Sequence, residues 1–143
     1  MSYFKHMKFI SERSKLEHSA VVWHSSLSEN NKKDLERVQK AALKIILKNN
    51  YVDYEQALEA LNLQTLDKRR EIMCLKFAKG CLRNEKVKKM FPLARNSHSM
   101  KTRSNIRFKE VKAKTNRYKN SALPYMQRLL NDEYSKVAKI LNI

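Results

Sequence analysis

Between Leu93 and Asn120 the chain sets Arg95, Lys101, Arg103, Arg107, Lys109, Lys112, Lys114, Arg117 and Lys119 against one acid, Glu110, nine cations to one anion and a net +8. Cations at this density suit the binding of a polyanion. Each Lys or Arg placed near a phosphate releases a condensed counterion and so gives a salt-dependent affinity. Phe108, Arg117 and Tyr118 add flat surfaces able to stack on bases or lie along a sugar edge. A second set, Lys32, Lys33, Arg37, Lys40 and Lys44, recurs on the expected outer side of a helix. The expected nucleic-acid contacts are therefore Lys101, Arg103, Arg107, Lys109, Lys112, Lys114, Arg117 and Lys119 in the first stretch and Lys33, Arg37, Lys40 and Lys44 in the second. The competing readings are plain ones: a solvated loop for the first, an ordinary charged helix face for the second.

Other chemistries find little support. A zinc site needs four ligands at close spacing, whereas His6, His18, His24 and His98 are scattered and only Cys74 and Cys81 join them. No metal and no cofactor are expected. The two cysteines lie seven residues apart on an expected helix, roughly 10 Å between Cα atoms and beyond disulfide reach, so both read as reduced core or boundary residues. His24, beside the single tryptophan Trp23, could orient a phosphate or, more simply, sit at a boundary bonded to backbone. No Ser/His/Asp arrangement can be argued. Gly80 is the one glycine and Pro92 and Pro124 the two prolines, which argues against tight hairpins and phosphate-cradling glycine loops.

A chain of 143 residues fits one domain, and a formal charge of +17 from 31 Lys+Arg against 14 Asp+Glu points to a polyanionic partner. Nucleic acid leads; a membrane surface is the weaker alternative, because no stretch combines a strongly basic face with a broad, bulky apolar one. Nothing approaches the roughly 18 to 20 apolar residues of a membrane span, and the N-terminus lacks a signal-peptide core. An intracellular protein is expected, with nucleus or cytoplasm left open.

These basic stretches need a scaffold, and the rest of the sequence reads as helices. Residues 2 to about 26 carry Phe4, Met7, Phe9 and Ile10, then Leu16, Ala20, Val21 and Trp23, compatible with one helix or two. A helix from about Glu29 to Asn49 has Ser28 as N-cap and Leu35, Val38, Ala42 and Ile45 at spacings of 3, 4 and 3. Asp53 with Gln56 three residues on signals a short helix ending near Asn62. Thr65 caps a fourth, in which Leu66, Ile72, Met73, Leu75, Phe77, Ala78 and Leu82 supply a wide apolar surface. In the basic stretch Ile106 and Phe108 alternate with Arg107 and Lys109, as in an extended segment. Helical character resumes at the cap Ser121, with Pro124 tolerated in a first turn and Met126, Leu129, Leu130, Tyr134, Val137, Ala138 and Leu141 as apolar positions, in one helix or two. The fold class is all-α or nearly so: four to six helices in a small bundle, divided as a helical module over 1–92, a basic extended arm over 93–120 and a C-terminal helical segment over 121–143. Its core is expected to contain Trp23, Leu35, Val38, Ala42, Ile45, Leu58, Leu61, Leu66, Phe77 and Leu82.

The blocks VVWHSSL (Val21 to Leu27), LERVQKAALKII (Leu35 to Ile46), YEQALEALNLQTLDKRRE (Tyr54 to Glu71), CLKFAKGC (Cys74 to Cys81), MFP (Met90 to Pro92) and AKTNRYKNSALPYMQRLLN (Ala113 to Asn131) stand in this order. The run resembles the thumb and post-palm region of reverse transcriptases from non-LTR retrotransposons of the jockey-like group. The likeness covers about Ser14 to Asn131; FISERSKLE (Phe9 to Glu17) looks displaced from the family's pattern, and Asp132 to Ile143 runs past its usual ending. It implies a helical module that grips a template-primer duplex while an upstream palm does the chemistry. Such a palm holds its two metals with an aspartate and a Tyr-x-Asp-Asp hairpin. Here Tyr51-Val52-Asp53-Tyr54 mimics part of that motif but puts Tyr54 where its second acid belongs, and Asp53 at a helix start. The fragment is therefore expected to be inert as an enzyme, binding an RNA–DNA or DNA duplex through its backbone. The alternatives are a free-standing, sequence-independent RNA- or DNA-binding helical protein, or a protein-interaction fragment with no nucleic-acid role.

Overall fold

A computed structural model describes residues 14–93 and 107–140, with side chains through residue 136. The fold is all-α: among the described residues the one pairing of extended backbone is an isolated antiparallel bridge between Leu93 and Phe108. After a helical turn at 14–17 come α1 (Ala20–Trp23), α2 (Glu29–Leu47), α3 (Tyr54–Ala60), α4 (Leu66–Arg83), α5 (Glu85–Lys88), α6 (Asn116–Lys119) and α7 (Ala122–Ile140). Single 3-10 turns follow α1 and α2, at His24–Ser26 and Lys48–Asn50.

The helices start where local chemistry dictates. Ser28 accepts from the Asn31 N–H at 3.2 Å, Asp53 from the Gln56 N–H at 2.8 Å and Thr65 from the Lys68 N–H at 3.3 Å, each satisfying a donor that the first turn leaves without an intrahelical partner. α3 ends in a left-handed residue, Asn62 (φ 50°). The Leu63 N–H then reaches back to the Leu58 carbonyl at 2.8 Å and Asn62 to Glu59 at 2.9 Å, closing the helix end while Leu63 packs beside Leu58.

The chain divides into two compact units. The first takes the helical turn at 14–17 and the stretch Leu27–Ile72; the second takes Val21–Ser26 and the residues from Met73 on. The core of the first unit is Leu43, Ala57 and Leu58, with Ala42, Ile46, Leu47, Tyr51, Tyr54, Leu61 and Leu63 packed around them. Its polar centre is Glu36. This carboxylate accepts from the Leu66 N–H with both oxygens at 3.2 Å, and from the Tyr54 hydroxyl. Gln39, 1 % exposed, donates to the Tyr54 hydroxyl at 2.9 Å and to the Gln64 carbonyl at 3.2 Å. An acid at the positive end of an 18-residue helix is favoured by the helix dipole as well as by the hydrogen bonds.

That network rotates α2 away from its expected register. With Glu36 and Gln39 drawn inward, the buried side becomes Gln39 and Leu43 flanked by Leu35, Ala42 and Ile46, and Val38 and Ile45 emerge 51 % and 70 % exposed. Their expected place in the core is thus corrected. Phe77 is corrected in the same way, at 53 % exposed, because the buried line of α4 runs Leu66, Arg70, Cys74, Ala78 at intervals of four, then Cys81. Leu58 and Leu66 are buried as expected; Leu35 and Trp23 are half-buried, and neither belongs to a core cluster. The first-turn proline Pro124 is accommodated, and α7 runs as one helix.

The second unit has a larger core, Ala78, Cys81, Phe91, Phe108, Met126 and Leu130. Cys74 and Cys81 are both buried and neither is in a disulfide, and burial pushes the Cys81 thiol above its ordinary range. The register of α2 is open to a direct check by urea denaturation. Leu43→Ala, which empties a fully buried site, should cost about 2–5 kcal/mol, whereas Val38→Ala and Ile45→Ala should stay within about 0.5 kcal/mol of the parent.

Candidate nucleic-acid interface

The charge is unevenly divided. Residues 21–26 and 73–143 hold 18 Lys+Arg against 4 Asp+Glu, a net +14 of the total +17, while residues 1–20 and 27–72 hold 13 against 10, a net +3. The second unit therefore carries most of the positive charge of the chain.

Within it, residues 107–114 form an extended, irregular arm whose backbone is tied down by amide side chains of α7. Asn131, buried, donates to the Phe108 carbonyl at 3.1 Å and accepts from the Phe108 N–H at 2.8 Å. Gln127, fully buried, accepts from the Val111 N–H at 3.2 Å and donates to the Met90 carbonyl at 3.1 Å. The Lys109 N–H donates to the Pro92 carbonyl at 2.8 Å. Each residue so held points its backbone polar groups at a partner, which an extended segment without a sheet neighbour otherwise lacks.

The tethers set which side chains face out. Phe108 turns inward, edge-on to Phe91 with ring centroids 6.3 Å apart and tilted against Tyr134 at 5.8 Å. Its expected role as an exposed stacking surface is thereby corrected, since a ring 7 % exposed has no free face for a base. Val111 and Ala113 are half-buried, while Arg107, Lys109, Lys112 and Lys114 are all exposed. The expected in-and-out alternation holds at Arg107, Phe108 and Lys109. Further on, Thr115 accepts from the Tyr118 N–H at 3.3 Å and starts the single turn α6, so the arm is not extended throughout. Arg117 and Lys119 on that turn are exposed, and Tyr118, 45 % exposed, keeps an available ring. Arg128 of α7 donates to the Lys119 carbonyl at 2.9 Å and fixes the end of the turn. Lys101 and Arg103, with Arg95, His98 and Ile106, lie outside the described residues.

Pairing separates the two expected basic surfaces. Arg107, Lys109, Lys112, Lys114, Arg117 and Lys119 form no ion pair with another described residue. On α2, by contrast, Lys32 reaches Glu29 at 2.9 Å and Arg37 reaches Asp34 at 2.7 Å. The hydrogen bond and the charge of Lys32 hold the Glu29 carboxyl below its ordinary range. Lys40 and Lys44 lie 6.0 Å and 5.5 Å from the ring centroids of Tyr54 and Tyr51. Lys33 is exposed. The arm thus offers its charges uncompensated, and the α2 row offers charges partly engaged within the unit.

The remaining sequence candidates resolve simply. Asp53 is a helix cap, so the Tyr51–Tyr54 motif has a structural role. His24 is 2 % exposed and packs edge-on against Tyr125 at 5.8 Å, out of reach of a phosphate. Among the described residues no group of three or more His, Cys, Asp or Glu is placed to hold a metal ion, and no helix is long and apolar enough to cross a membrane. Comparison with protein-family models, curated proteins and solved structures returns no match. The tethers Asn131 and Gln127 had a faint signal in sequence, as amides at the i, i+4 positions of an otherwise apolar helix face.

Hydrogen exchange reads the tethers residue by residue. Asn131→Ala should accelerate exchange of the Phe108 amide and lower stability by about 1–3 kcal/mol, the cost of leaving buried backbone groups unpaired. Gln127→Ala should accelerate exchange at Val111. Unchanged exchange at both amides would show that the arm is held by something else.

Proposed function

We propose that this chain is a non-catalytic nucleic-acid-binding module, the thumb-like C-terminal part of a retrotransposon RNA-directed DNA polymerase, which grips an RNA–DNA or DNA duplex through its phosphates. The observation that carries the reading is the row Arg107, Lys109, Lys112 and Lys114, exposed, without ion pairs to described residues, and mounted on a backbone fixed by Asn131 and Gln127. Arg107 with Lys109 and Lys112 with Lys114 are pairs of alternate residues, roughly 6.7 Å apart in an extended chain and close to the spacing of successive phosphates along one strand, with a step of three residues between the pairs in the irregular arm. A row so spaced can follow a backbone without reading bases. Arg117 and Lys119 lengthen it, and Tyr118 adds one flat surface at its end. The resemblance of the six sequence blocks supplies the context of an upstream palm, which would carry the metals and carboxylates absent from this sequence.

The arm contacts position the chain on the duplex and carry no sequence information, as phosphate contacts in general do. Fluorescence anisotropy with duplex DNA, RNA–DNA hybrid and single strand tests this at several salt concentrations. If six arm cations each neutralise a phosphate, log affinity should fall with log salt at a slope of about −5, close to a thousandfold between 50 and 200 mM. Replacing Arg107, Lys109, Lys112 and Lys114 by Gln should reduce that slope by about three to four and leave sequence preference unchanged. Absence of binding at low salt would sink the proposal. A slope unaffected by the four substitutions would remove the arm from it, and tight preference for one short sequence would favour a free-standing, base-reading protein.

A further inference from the structure

The outer face of α2 leaves apolar side chains exposed. Val38 and Ile45 are 51 % and 70 % exposed, and Ala41 between them is exposed as well. Their spacing, 3 and then 4, makes one ridge of the kind that packs against a second helix. Lys33, Arg37, Lys40 and Lys44, spaced 4, 3 and 4, form a parallel row along one flank of that ridge, while Asn31 and Asp34 continue the ridge toward the helix start and the other flank carries the uncharged Leu35 and Ala42. The acid Asp34 is already taken by Arg37 at 2.7 Å. Lys40 and Lys44 are steadied over the rings of Tyr54 and Tyr51, which keeps the row beside the ridge.

We infer that the ridge Val38–Ala41–Ile45 is a docking surface for an amphipathic helix of another protein, with apolar residues at heptad spacing and acids along the edge that meets Lys33, Arg37, Lys40 and Lys44. The asymmetry of the face argues for this occupant. A phosphate backbone would satisfy the cationic row but leave Val38 and Ile45 in water, whereas an acidic amphipathic helix satisfies both at once. A second copy of this chain packed antiparallel would set one cationic row against the other, which is destabilising, and packed parallel it would set the row against the uncharged Leu35 and Ala42, leaving the cations without acids to meet. The inference is independent of the arm, which lies in the other unit and uses none of these residues.

The probe is a synthetic helical peptide with leucines at a and d positions and glutamates at e and g, titrated into the full chain by isothermal calorimetry. So small a patch belongs to the weak, transient class, and a dissociation constant on the order of 100 µM is expected. Val38→Ser together with Ile45→Ser should weaken it at least tenfold. These positions are exposed, so the thermal melt should be unchanged, and duplex affinity should be unchanged too. The same peptide with lysines in place of glutamates should bind at least tenfold more weakly than the acidic one. The inference is overturned by no acidic-peptide binding up to about 2 mM, by binding insensitive to the two serines or to the sign of the peptide, by self-association in sedimentation equilibrium that the serines abolish, or by a loss of duplex affinity in the serine variant.

Discussion

The second unit depends on one pairing: the side-chain amide of Asn131 meeting both the N–H and the C=O of Phe108. A side-chain amide donates from its nitrogen and accepts at its oxygen, the same pair of groups a neighbouring backbone offers, so it can replace the missing neighbour of an isolated extended strand. With both groups of one residue satisfied from α7, the orientation of that residue is settled, and so are those of the residues beside it. Phe108 has to enter the core between Phe91 and Tyr134, and Arg107 and Lys109 have to leave it. Magnitudes show why the arm stays down despite its charge. Two exposed cations about 7 Å apart repel by roughly 0.6 kcal/mol in water, less in salt. Burial of one Phe side chain contributes about 1.5–3 kcal/mol, and each side-chain hydrogen bond to backbone about 1 kcal/mol more. The anchors outweigh the repulsion, and an array of like charges is held on a fixed track.

The first unit shows the same device with opposite polarity. Glu36 is drawn in to meet the Leu66 N–H and the Tyr54 hydroxyl, and Gln39 follows it to Tyr54 and Gln64. Polar side chains thus decide the rotation of α2, which hydrophobic spacing alone would set differently. In both units a buried side-chain amide, Gln39 in the first and Asn131 in the second, helps fix a register that apolar packing would leave loose.

This explains what could and could not be read from the chain. The caps Ser28, Asp53 and Thr65 were legible because they act on the residues immediately after them. The charge of the arm was legible because it is a property of composition. The exposed places of Val38, Ile45 and Phe77 were not, since they follow from partners 15 to 30 residues from Gln39 and Glu36, and from the buried line through Arg70 and Cys74. The inward turn of Phe108 was hidden for the same reason: its partner Asn131 stands 23 residues away. An alternation of Phe with Arg and Lys says that the two kinds of residue face opposite ways, and only the tether says which way is in. The legible part of the site is therefore its charge, and the illegible part is the geometry that makes the charge usable.

Most of the net charge, +14 of +17, belongs to the second unit, where the described arm cations are presented outward on a backbone fixed by Asn131 and Gln127, and the proposal that they meet a polyanion along a line rests on that arrangement. The most direct measurement is an amide spectrum of the nitrogen-labelled chain titrated with a short RNA–DNA hybrid at low salt. Resonances of residues 107–119 should shift first and furthest, with those of Leu43, Ala57 and Leu58 left in place. Shifts centred on α2 with the arm unmoved, or no shifts at all, would contradict the account.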